Sequence, residues 1–338
     1  MAELDENQLR ELVNARAAWR NYRDATREAL QVKGSMAWKE VRGRTYLIRK
    51  SASGAQKSLG AKDAGTEAMY ASFQARKARA QARLKAMKQR VEEQRKLNRV
   101  YRVGRTPAVV VRVLNALDSA GLADKFMVIG THALYAYEAA AGVLVDSSAM
   151  ATRDLDLLFD ARKRVAFITS LSQGEHKSLI GVLQKADATF RVIPDQLQTA
   201  VNDDGFEVDL IRRKARDGDS HPMRMSDDEN DFWAVEIDQR EKIQSGRKFE
   251  HLVVAPNGEM ASMRTLHPLD FIRLKRDLSQ RPGRDPLKAP KDRLQAQVVQ
   301  QLWDDYLRHL HPANADEKVA GPGAGSGQAE ALPDPLAG

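Results

Sequence analysis

The stretch TRDLDLLFD (residues 152–160) sets Asp154 and Asp156 two positions apart among apolar residues. This alternation predicts a β-strand, in which successive side chains point to opposite faces, so the two carboxylates share one face. The other face carries the apolar side chains of Leu155, Leu157 and Phe159, which we expect to point into the core. Two neighbouring carboxylates repel each other, and this cost favours a bound cation. Mg²⁺ is the expected ion, because proteins hold it through one or two carboxylates together with substrate phosphates.

A second acidic strand is predicted in GFEVDLI (residues 205–211), where Glu207 and Asp209 share one face and apolar residues share the other. An isolated Asp pair is also typical of a solvated sheet edge, but a second acidic strand favours the metal site. Two metal ions need about three carboxylates between them, and one carboxylate can help to deprotonate an attacking hydroxyl. We therefore expect Asp154, Asp156 and Asp209 to be both metal ligands and catalytic residues, with Glu207 as a polar neighbour.

The segment VIGTHALYAYE (residues 128–138) predicts a strand that turns directly into a helix at Gly130. Glycine allows the backbone to come close to a phosphate, and a helix N-terminus offers free amides and a positive dipole. Thr131 adds a hydroxyl at the same point, so Gly130 and Thr131 are predicted to bind nucleotide phosphates. His132 has two interpretations, a phosphate contact or a hydrogen-bonded histidine at the start of a helix.

The other patterns predict an α+β fold, with a small mixed β-sheet, C-terminal helices and a mostly helical N-terminal arm. A hairpin is expected around Gly43, followed by a turn-rich loop over residues 51–60. Thr106 is expected to cap a helix with Pro107 at its first position. Helices are predicted near residues 6–30, 66–101, 106–122, 131–142, 165–185, 267–280 and 290–310, and strands near residues 125–130, 142–146, 152–160, 188–194, 205–213 and 248–255.

Composition limits the classes of protein and site. The chain has 338 residues, 42% hydrophobic and 30% charged, which fits a globular protein of about two domains. It has no cysteine, which excludes disulfides and thiolate metal sites and suits a reducing compartment. The N-terminus lacks the apolar core of a signal peptide, and no stretch is long and apolar enough to span a membrane. We therefore expect a cytoplasmic protein.

Positive charge is concentrated in residues 76–105, which hold twelve Lys or Arg and only two Glu, whereas the whole chain carries a net charge of +8. Most charge runs are solvated faces of mixed sign, but this bias favours a polyanion. We expect the segment to contact nucleic acid, with RNA as the expected partner. An acidic protein partner and a self-associating helical arm are the alternatives.

The order of these features resembles the nucleotidyltransferase fold of the DNA polymerase β-like superfamily. GTHALYAYEAAAG (residues 130–142) followed by ATRDLDLLFD (residues 151–160) is similar to a bacterial branch near the abortive-infection and minimal-nucleotidyltransferase toxins. The resemblance covers residues from about 107 to 310, and the Asp pair is its most specific part. Gly130-Thr131 departs from the more usual Gly-Gly or Gly-Ser, although Thr keeps the hydroxyl. The spacing from Gly130 to Asp154 is also longer than in the smallest members.

The resemblance implies an NTP substrate such as ATP, with Gly130 and Thr131 at its phosphates and the three aspartates as magnesium ligands. It also implies nucleotide-site roles for a Lys on a later helix and for an Asp that opens the next helix. Lys275 and Asp292 fill those places here, with Lys291 beside them, although this match is looser. An exposed helix lysine is the alternative for Lys275.

We divide the chain into a basic arm, a nucleotidyltransferase core, a C-terminal helical subdomain and a disordered tail, at residues 1–105, 106–260, 261–312 and 313–338. The expected function is transfer of a nucleoside monophosphate from an NTP to a hydroxyl acceptor, such as a tRNA-like RNA, by a two-metal mechanism. One alternative is a catalytically idle fold that binds nucleic acid. Another is a toxin-like component of a two-gene system.

Overall fold

The computed structural model describes residues 1–310 except 53, 151, 175–176, 213–221 and 237–246. The tail that we predict to be disordered from residue 313 lies outside the described residues. Among the described residues, no helix is both long and apolar enough to cross a membrane.

Helices and strands alternate irregularly along the chain, and the α+β fold class is confirmed. The helices are α1 (Glu6–Gln31), α2 (Ala64–Tyr101), α3 (Ala108–Ser119), α4 (Ala133–Ala141), α5 (Ser147–Met150), α6 (Arg164–Gln173), α7 (Leu179–Leu183), α8 (Pro268–Ser279) and α9 (Lys288–Leu302). The strands are β1 (Ala2–Glu3), β2 (Ser35–Val41), β3 (Arg44–Lys50), β4 (Gln56–Ala61), β5 (Phe126–Ile129), β6 (Val143–Leu144), β7 (Asp154–Phe159), β8 (Arg191–Ile193), β9 (Gln196–Val201), β10 (Glu207–Arg212), β11 (Met223–Arg224), β12 (Trp233–Glu236), β13 (Lys248–Val254) and β14 (Met260–Leu266). After α9 the chain continues in irregular helical turns to Leu310.

The central sheet has the strand order β11-β12-β10-β7-β5-β14-β13, with the β8–β9 hairpin attached to β10. β7 lies between β5, to which it is antiparallel, and β10, to which it is parallel. Its apolar side chains Leu155, Leu157 and Phe159 are buried, as the alternation predicts. The sheet is larger than the small one we expected, because β9, β11, β12 and β14 were not recognised in the sequence.

The N-terminal arm is an antiparallel pair of helices, α1 and α2, that carries a separate sheet of β2, β3 and β4. The buried and half-buried residues of α2 recur at alternating spacings of three and four, as in a coiled coil. They are Thr66, Tyr70, Phe73, Lys77, Ala80, Leu84, Met87, Val91, Gln94, Asn98 and Tyr101, and Arg95 is the one half-buried residue of α2 outside this pattern. The long helix predicted from composition is therefore stabilised by packing on α1 as well as by its propensity.

The arm is fixed to the central sheet at the β13–β14 turn and along β14. Asn98 Nδ2 donates to Gly258 O at 3.2 Å, and Trp19 Nε1 donates to Ser262 Oγ at 3.0 Å. Gly258 has a φ of +84°, and a Cβ at this position would lie 1.9 Å from Arg95 O. Only glycine allows α2 to approach this turn so closely.

Three local predictions were wrong. The loop predicted over residues 51–60 contains β4, whose mostly exposed side chains hide the strand pattern because its pairing with β3 uses the backbone. β14 lies where we expected no strand, and its pairing with β5 and β13 is non-local. Thr106 does not cap α3; it is buried and its N–H donates to Val254 O at 3.0 Å, while Pro107 is the N-cap residue.

The division of the chain into four parts stays a prediction. Its boundary between residues 260 and 261 falls inside β14. Since β14 pairs with β5 and β13, the central sheet continues to Leu266 before the C-terminal helices begin.

We predict that Gly258→Ala destabilises the protein more than Gly43→Ala. Both glycines have positive φ, so both substitutions cost about 1 kcal/mol of backbone strain. Nothing lies within 4 Å of a Cβ at Gly43, whereas a Cβ at Gly258 displaces α2 and adds roughly 1–3 kcal/mol. The free energies of unfolding are measured by urea titration of both variants. Equal losses in the free energy of unfolding would show that α2 does not restrict the side chain at position 258.

Candidate active site

The parallel pairing of β7 with β10 brings the three predicted aspartates together. The register places Asp209 beside Asp156 and Glu207 beside Asp154. One carboxylate oxygen from each of Asp154, Asp156 and Asp209 lies within 4.8 Å of the other two. Glu207 is exposed and does not join this group, in agreement with its interpretation as a polar neighbour.

Neighbouring side chains orient two of the carboxylates. Thr199 Oγ1, on β9, donates to Asp209 Oδ1 at 2.6 Å, and the Thr152 hydroxyl donates to Asp154 Oδ1. His132 is buried, and its Nδ1 lies 3.0 Å from the main-chain oxygen of Asp154. Because a carbonyl oxygen only accepts, Nδ1 carries the proton and fixes the start of β7 against α4.

Gly130 is required by the geometry of the site. It has a φ of +69°, and a Cβ there would lie 2.0 Å from Asp156 Oδ2. The missing side chain therefore leaves room for the Asp156 carboxylate at the end of β5, just before α4 begins. The strand–helix turn at this glycine was predicted, but its close contact with Asp156 was not.

At the start of α4, Thr131 and His132 form hydrogen bonds within the protein. Thr131 Oγ1 accepts a hydrogen bond from Gln295 Nε2 at 2.9 Å, and the same nitrogen donates to Ala149 O. Gln295 is fully buried and belongs to α9, so this bond ties α9 to the strand–helix turn. His132 is likewise enclosed, and burial lowers its pKa to about 4. Its contacts favour the structural interpretation over the phosphate contact.

Crowding of negative charge changes the protonation of the group. Burial, together with the charges of Asp154 and Asp209, raises the pKa of Asp156 to about 7. Burial and the charge of Asp154 also raise the pKa of Asp209, against the hydrogen bond from Thr199, which lowers it. The positive charges of the protein therefore do not balance the negative charges of these three carboxylates.

Lys275 and Asp292 lie close to this group and pair with each other. Lys275 Nζ, on α8, is 2.7 Å from Asp292 Oδ1, and both residues are buried. Arg284 donates to the other oxygen, Oδ2, from Nε at 2.9 Å and from Nη2 at 2.6 Å. The charge of Lys275 also opposes the rise in the Asp156 pKa, which places it within electrostatic range of the aspartates. Binding of a nucleotide by Lys275 and Asp292 stays a prediction.

Two further lysines, on the first turn of α9, lie within electrostatic range of the aspartates. Lys288 is exposed, and its positive charge opposes the rise of the Asp156 and Asp209 pKa values. Lys291 is half-buried; burial lowers its pKa, while the negative charges of Asp154, Asp292 and Asp156 act in the opposite direction. Positions three apart lie on one side of a helix, so both lysines are presented together.

The aspartates have the donor set and spacing that a divalent ion requires. Mg²⁺ prefers carboxylate oxygens at about 2.0–2.1 Å, so two ligands on opposite sides of one ion are roughly 4.2 Å apart. The observed limit of 4.8 Å is close to that value and also accommodates two ions that share the carboxylates. The raised pKa of Asp156 is a second sign of unbalanced negative charge. Asp154, Asp156 and Asp209 therefore fit a metal site.

Sequence reasoning missed Thr199, Arg284, Lys288 and Gln295. The pair of lysines in KAPK (residues 288–291) was a usable signal, because its spacing at a helix start places both charges on one side. Thr199 and Gln295 gave no signal, since each acts through a contact with a residue distant in the sequence.

Comparison with known proteins identifies a protein family. The family model described as a nucleotidyltransferase matches residues 108–320, which is more than half of the chain. No curated protein and no solved structure matches. The matched range begins with α3, so the α1–α2 arm lies outside it.

We predict that, in the metal-free protein, Asp156 contributes a loss of stability as the pH rises from about 4 to 7. The pKa of Asp156 in the folded protein, about 7, is above its ordinary value of 3.8. The stability that protonated Asp156 contributes is thus fully present below pH 3.8 and is lost as the pH rises through about 7. In EDTA, the melting temperature of Asp156→Asn should therefore rise relative to that of the wild type as the pH rises from about 4 to 7. The exposed control Asp195→Asn should match the wild type, and equal slopes in all three proteins would contradict the Asp156 assignment.

Proposed function

This chain belongs to the nucleotidyltransferase family, and we propose that it transfers a nucleoside monophosphate from an NTP to a hydroxyl acceptor with the help of Mg²⁺. The observation that carries the proposal is the meeting of Asp154, Asp156 and Asp209 on β7 and β10, with their oxygens within 4.8 Å. Such a group is costly unless a cation balances it, and a metal–triphosphate complex is the ligand that suits it.

The donor nucleotide would lie between the aspartates and the first turn of α9. Lys288 and Lys291 lie within electrostatic range of the aspartates and would supply positive charge for the triphosphate. Gly130 and Thr131 lie at the start of α4, where main-chain amides favour a phosphate. We propose that Lys275, which is held in position by its ion pair with Asp292, adds a positive charge to this nucleotide site.

The reaction is an in-line displacement at the α-phosphorus. The acceptor oxygen forms a bond to that phosphorus while the bond to the bridging oxygen of the β-phosphate breaks, and pyrophosphate leaves with the electron pair. Asp209, which is oriented by Thr199, is placed to receive the proton of the acceptor hydroxyl. Bound Mg²⁺ supplies charge at the triphosphate oxygens and favours deprotonation of the hydroxyl. The lysines balance the charge on the departing pyrophosphate.

We propose RNA, such as a tRNA-like end, as the acceptor. The basic segment of residues 76–105 supports this choice, because nine of its twelve Lys and Arg side chains are exposed on α2 or just after it. They are Arg76, Arg79, Arg83, Lys85, Lys88, Arg90, Lys96, Arg99 and Arg102. Two of these side chains form ion pairs, Arg83 with Glu28 and Arg90 with Glu93. The main-chain carbonyl of Arg102 accepts a hydrogen bond from Gln8. The others leave a positive face for a polyanion.

A catalytically idle fold that only binds nucleic acid is the second candidate. The arm favours it as well, but the three intact aspartates favour an enzyme, because an idle protein has no need to retain their repulsion. The relation to toxins of two-gene systems stays a hypothesis about biological context. It leaves the proposed chemistry unchanged.

We predict that Asp154→Asn and Asp156→Asn each lower nucleotide transfer by at least about a thousandfold, because each removes a charge that holds the metal. Each labelled NTP is incubated with Mg²⁺, total RNA and protein, and the RNA is separated on a gel. The exposed variant Asp195→Asn is the control. A melting-temperature rise that needs Mg²⁺ and NTP together in the wild type provides a second readout. Transfer at the wild-type rate in the Asp154→Asn/Asp156→Asn double variant would refute the proposal.

We predict that Lys288→Ala and Lys291→Ala each lower kcat/KM for the NTP by about 10- to 100-fold. One charge-assisted contact to a phosphate contributes roughly 1.5–3 kcal/mol. Arg293→Ala removes an exposed charge from the same helix and is the matched control. If all three variants lose activity equally, the effect is a general loss of charge and the two lysines do not contact the triphosphate.

A further inference from the structure

One side of α9 carries the two lysines of the active site and, further along, a buried amide. Lys291, Asp292 and Gln295 follow Lys288 by three, four and seven positions, which places all four residues on one side of the helix. Lys288 is exposed, Lys291 is half-buried and Gln295 is fully buried. The amide of Gln295 therefore lies about one turn beyond Lys291, inside the protein and on the same side of the helix.

Two hydrogen bonds define the orientation of this amide. Gln295 Nε2 lies 2.9 Å from Ala149 O, on α5, and 2.9 Å from Thr131 Oγ1. A main-chain carbonyl oxygen only accepts, so the side-chain atom that contacts both groups is the nitrogen, which donates one hydrogen to each. The Thr131 hydroxyl is therefore an acceptor toward Gln295, and its own hydrogen is directed elsewhere.

The hydrogen of the Thr131 hydroxyl has no acceptor in the part of the chain that the structure describes. Thr131 is only 8% exposed, and an enclosed donor without a partner costs free energy. The residue follows Gly130, where a Cβ would lie 2.0 Å from Asp156 Oδ2, so its hydroxyl belongs to the turn that packs against the aspartates. A phosphate oxygen of a nucleotide bound at the aspartates is a suitable acceptor for this hydrogen.

The oxygen of the same amide is unfavourable for stability. Gln295 Oε1 is buried and has no hydrogen-bond partner among the described residues, which costs free energy. The other buried residues that follow on α9 are apolar, and they include Ala296 and Val299. An apolar residue at position 295 would avoid the cost of the unpaired oxygen. The two bonds from the nitrogen are therefore what the glutamine adds at this position.

We propose that Gln295 is a positioning residue for the donor nucleotide, because it fixes the Thr131 hydroxyl as a hydrogen-bond donor to an oxygen of the triphosphate. A hydroxyl that accepts one hydrogen bond also donates more strongly, so the amide strengthens the contact with the phosphate. The inference rests on the proposed function, since it requires a nucleoside triphosphate at the aspartates. It adds a residue of α9 that acts on the nucleotide through Thr131.

A double-mutant cycle tests this role through nucleotide binding, without RNA. Isothermal titration calorimetry measures the dissociation constants of the Mg²⁺ complexes of ATP, CTP, GTP and UTP with the full chain, and the tightest complex is used for the variants. Thr131→Val should weaken binding about 10- to 100-fold, because it removes a hydrogen bond to a charged oxygen. Gln295→Met should weaken binding at least about fivefold in the wild-type background, but less than about twofold in the Thr131→Val background.

A purely structural contact predicts a different result. If Gln295 only holds α9 in place, Gln295→Met displaces Lys288 and Lys291 and weakens binding by the same factor in both backgrounds, which would overturn the proposal. Thr131→Ser keeps the hydroxyl and should preserve the full effect of Gln295→Met. The substitution Gln297→Met, at an exposed position of the same helix, is the matched control and should leave binding unchanged.

Circular dichroism and the melting temperature show whether each variant is folded. If Gln295→Met is unfolded, Gln295→Asn replaces it in the cycle, because its amide stays polar but is one methylene group too short to reach Thr131. Equal effects in the two backgrounds would refute the positioning role and leave the proposed function intact. Absence of nucleotide binding by the wild type would overturn both, whereas binding without transfer to RNA would overturn only the proposed transfer.

Discussion

The mutual repulsion of Asp154, Asp156 and Asp209 is the constraint around which the core is arranged. The parallel pairing of β7 and β10 holds the carboxylates together, and their apolar neighbours on the opposite face are buried in the core. The stability of that core therefore maintains an arrangement that is electrostatically unfavourable without a cation. Gly130 serves the same arrangement, because a side chain there would occupy the space of the Asp156 carboxylate. Strain of this kind is typical of functional sites that a ligand relieves.

The C-terminal helices complete the site by adding positive charge at fixed positions. The buried Lys275–Asp292 pair joins α8 to α9, and Gln295 joins α9 to Thr131 at the start of α4. A buried ion pair is weak evidence for stability, since desolvation offsets much of its attraction. Its value here is positional, because it holds the first turn of α9, with Lys288 and Lys291, within electrostatic range of the aspartates.

The N-terminal arm is part of the same folded unit as the central sheet, although the nucleotidyltransferase family match begins after it. Contacts of α2 with Gly258 and of Trp19 with Ser262 fix its direction, so its charged surfaces have a defined relation to the core. Positive charge concentrated on the exposed face of α2 attracts a polyanion at long range.

The sequence alone determined the α+β class, the long helices, β5, β7 and β10, and the side of each strand on which the aspartates lie, because these follow from local periodicity. It missed β4 and β14, whose pairing depends on distant strands, and it misplaced the cap of α3, because the bond from Thr106 to Val254 is non-local. Only the tertiary structure decided that Asp209 lies beside Asp156, that Gly130 makes room for a carboxylate, and that Gln295, Lys288 and Arg284 surround the site. The physical reason is that hydrogen bonds and electrostatic contacts depend on distances in space. Thr131 and Gln295, which form such a bond at this site, are 164 positions apart in the chain.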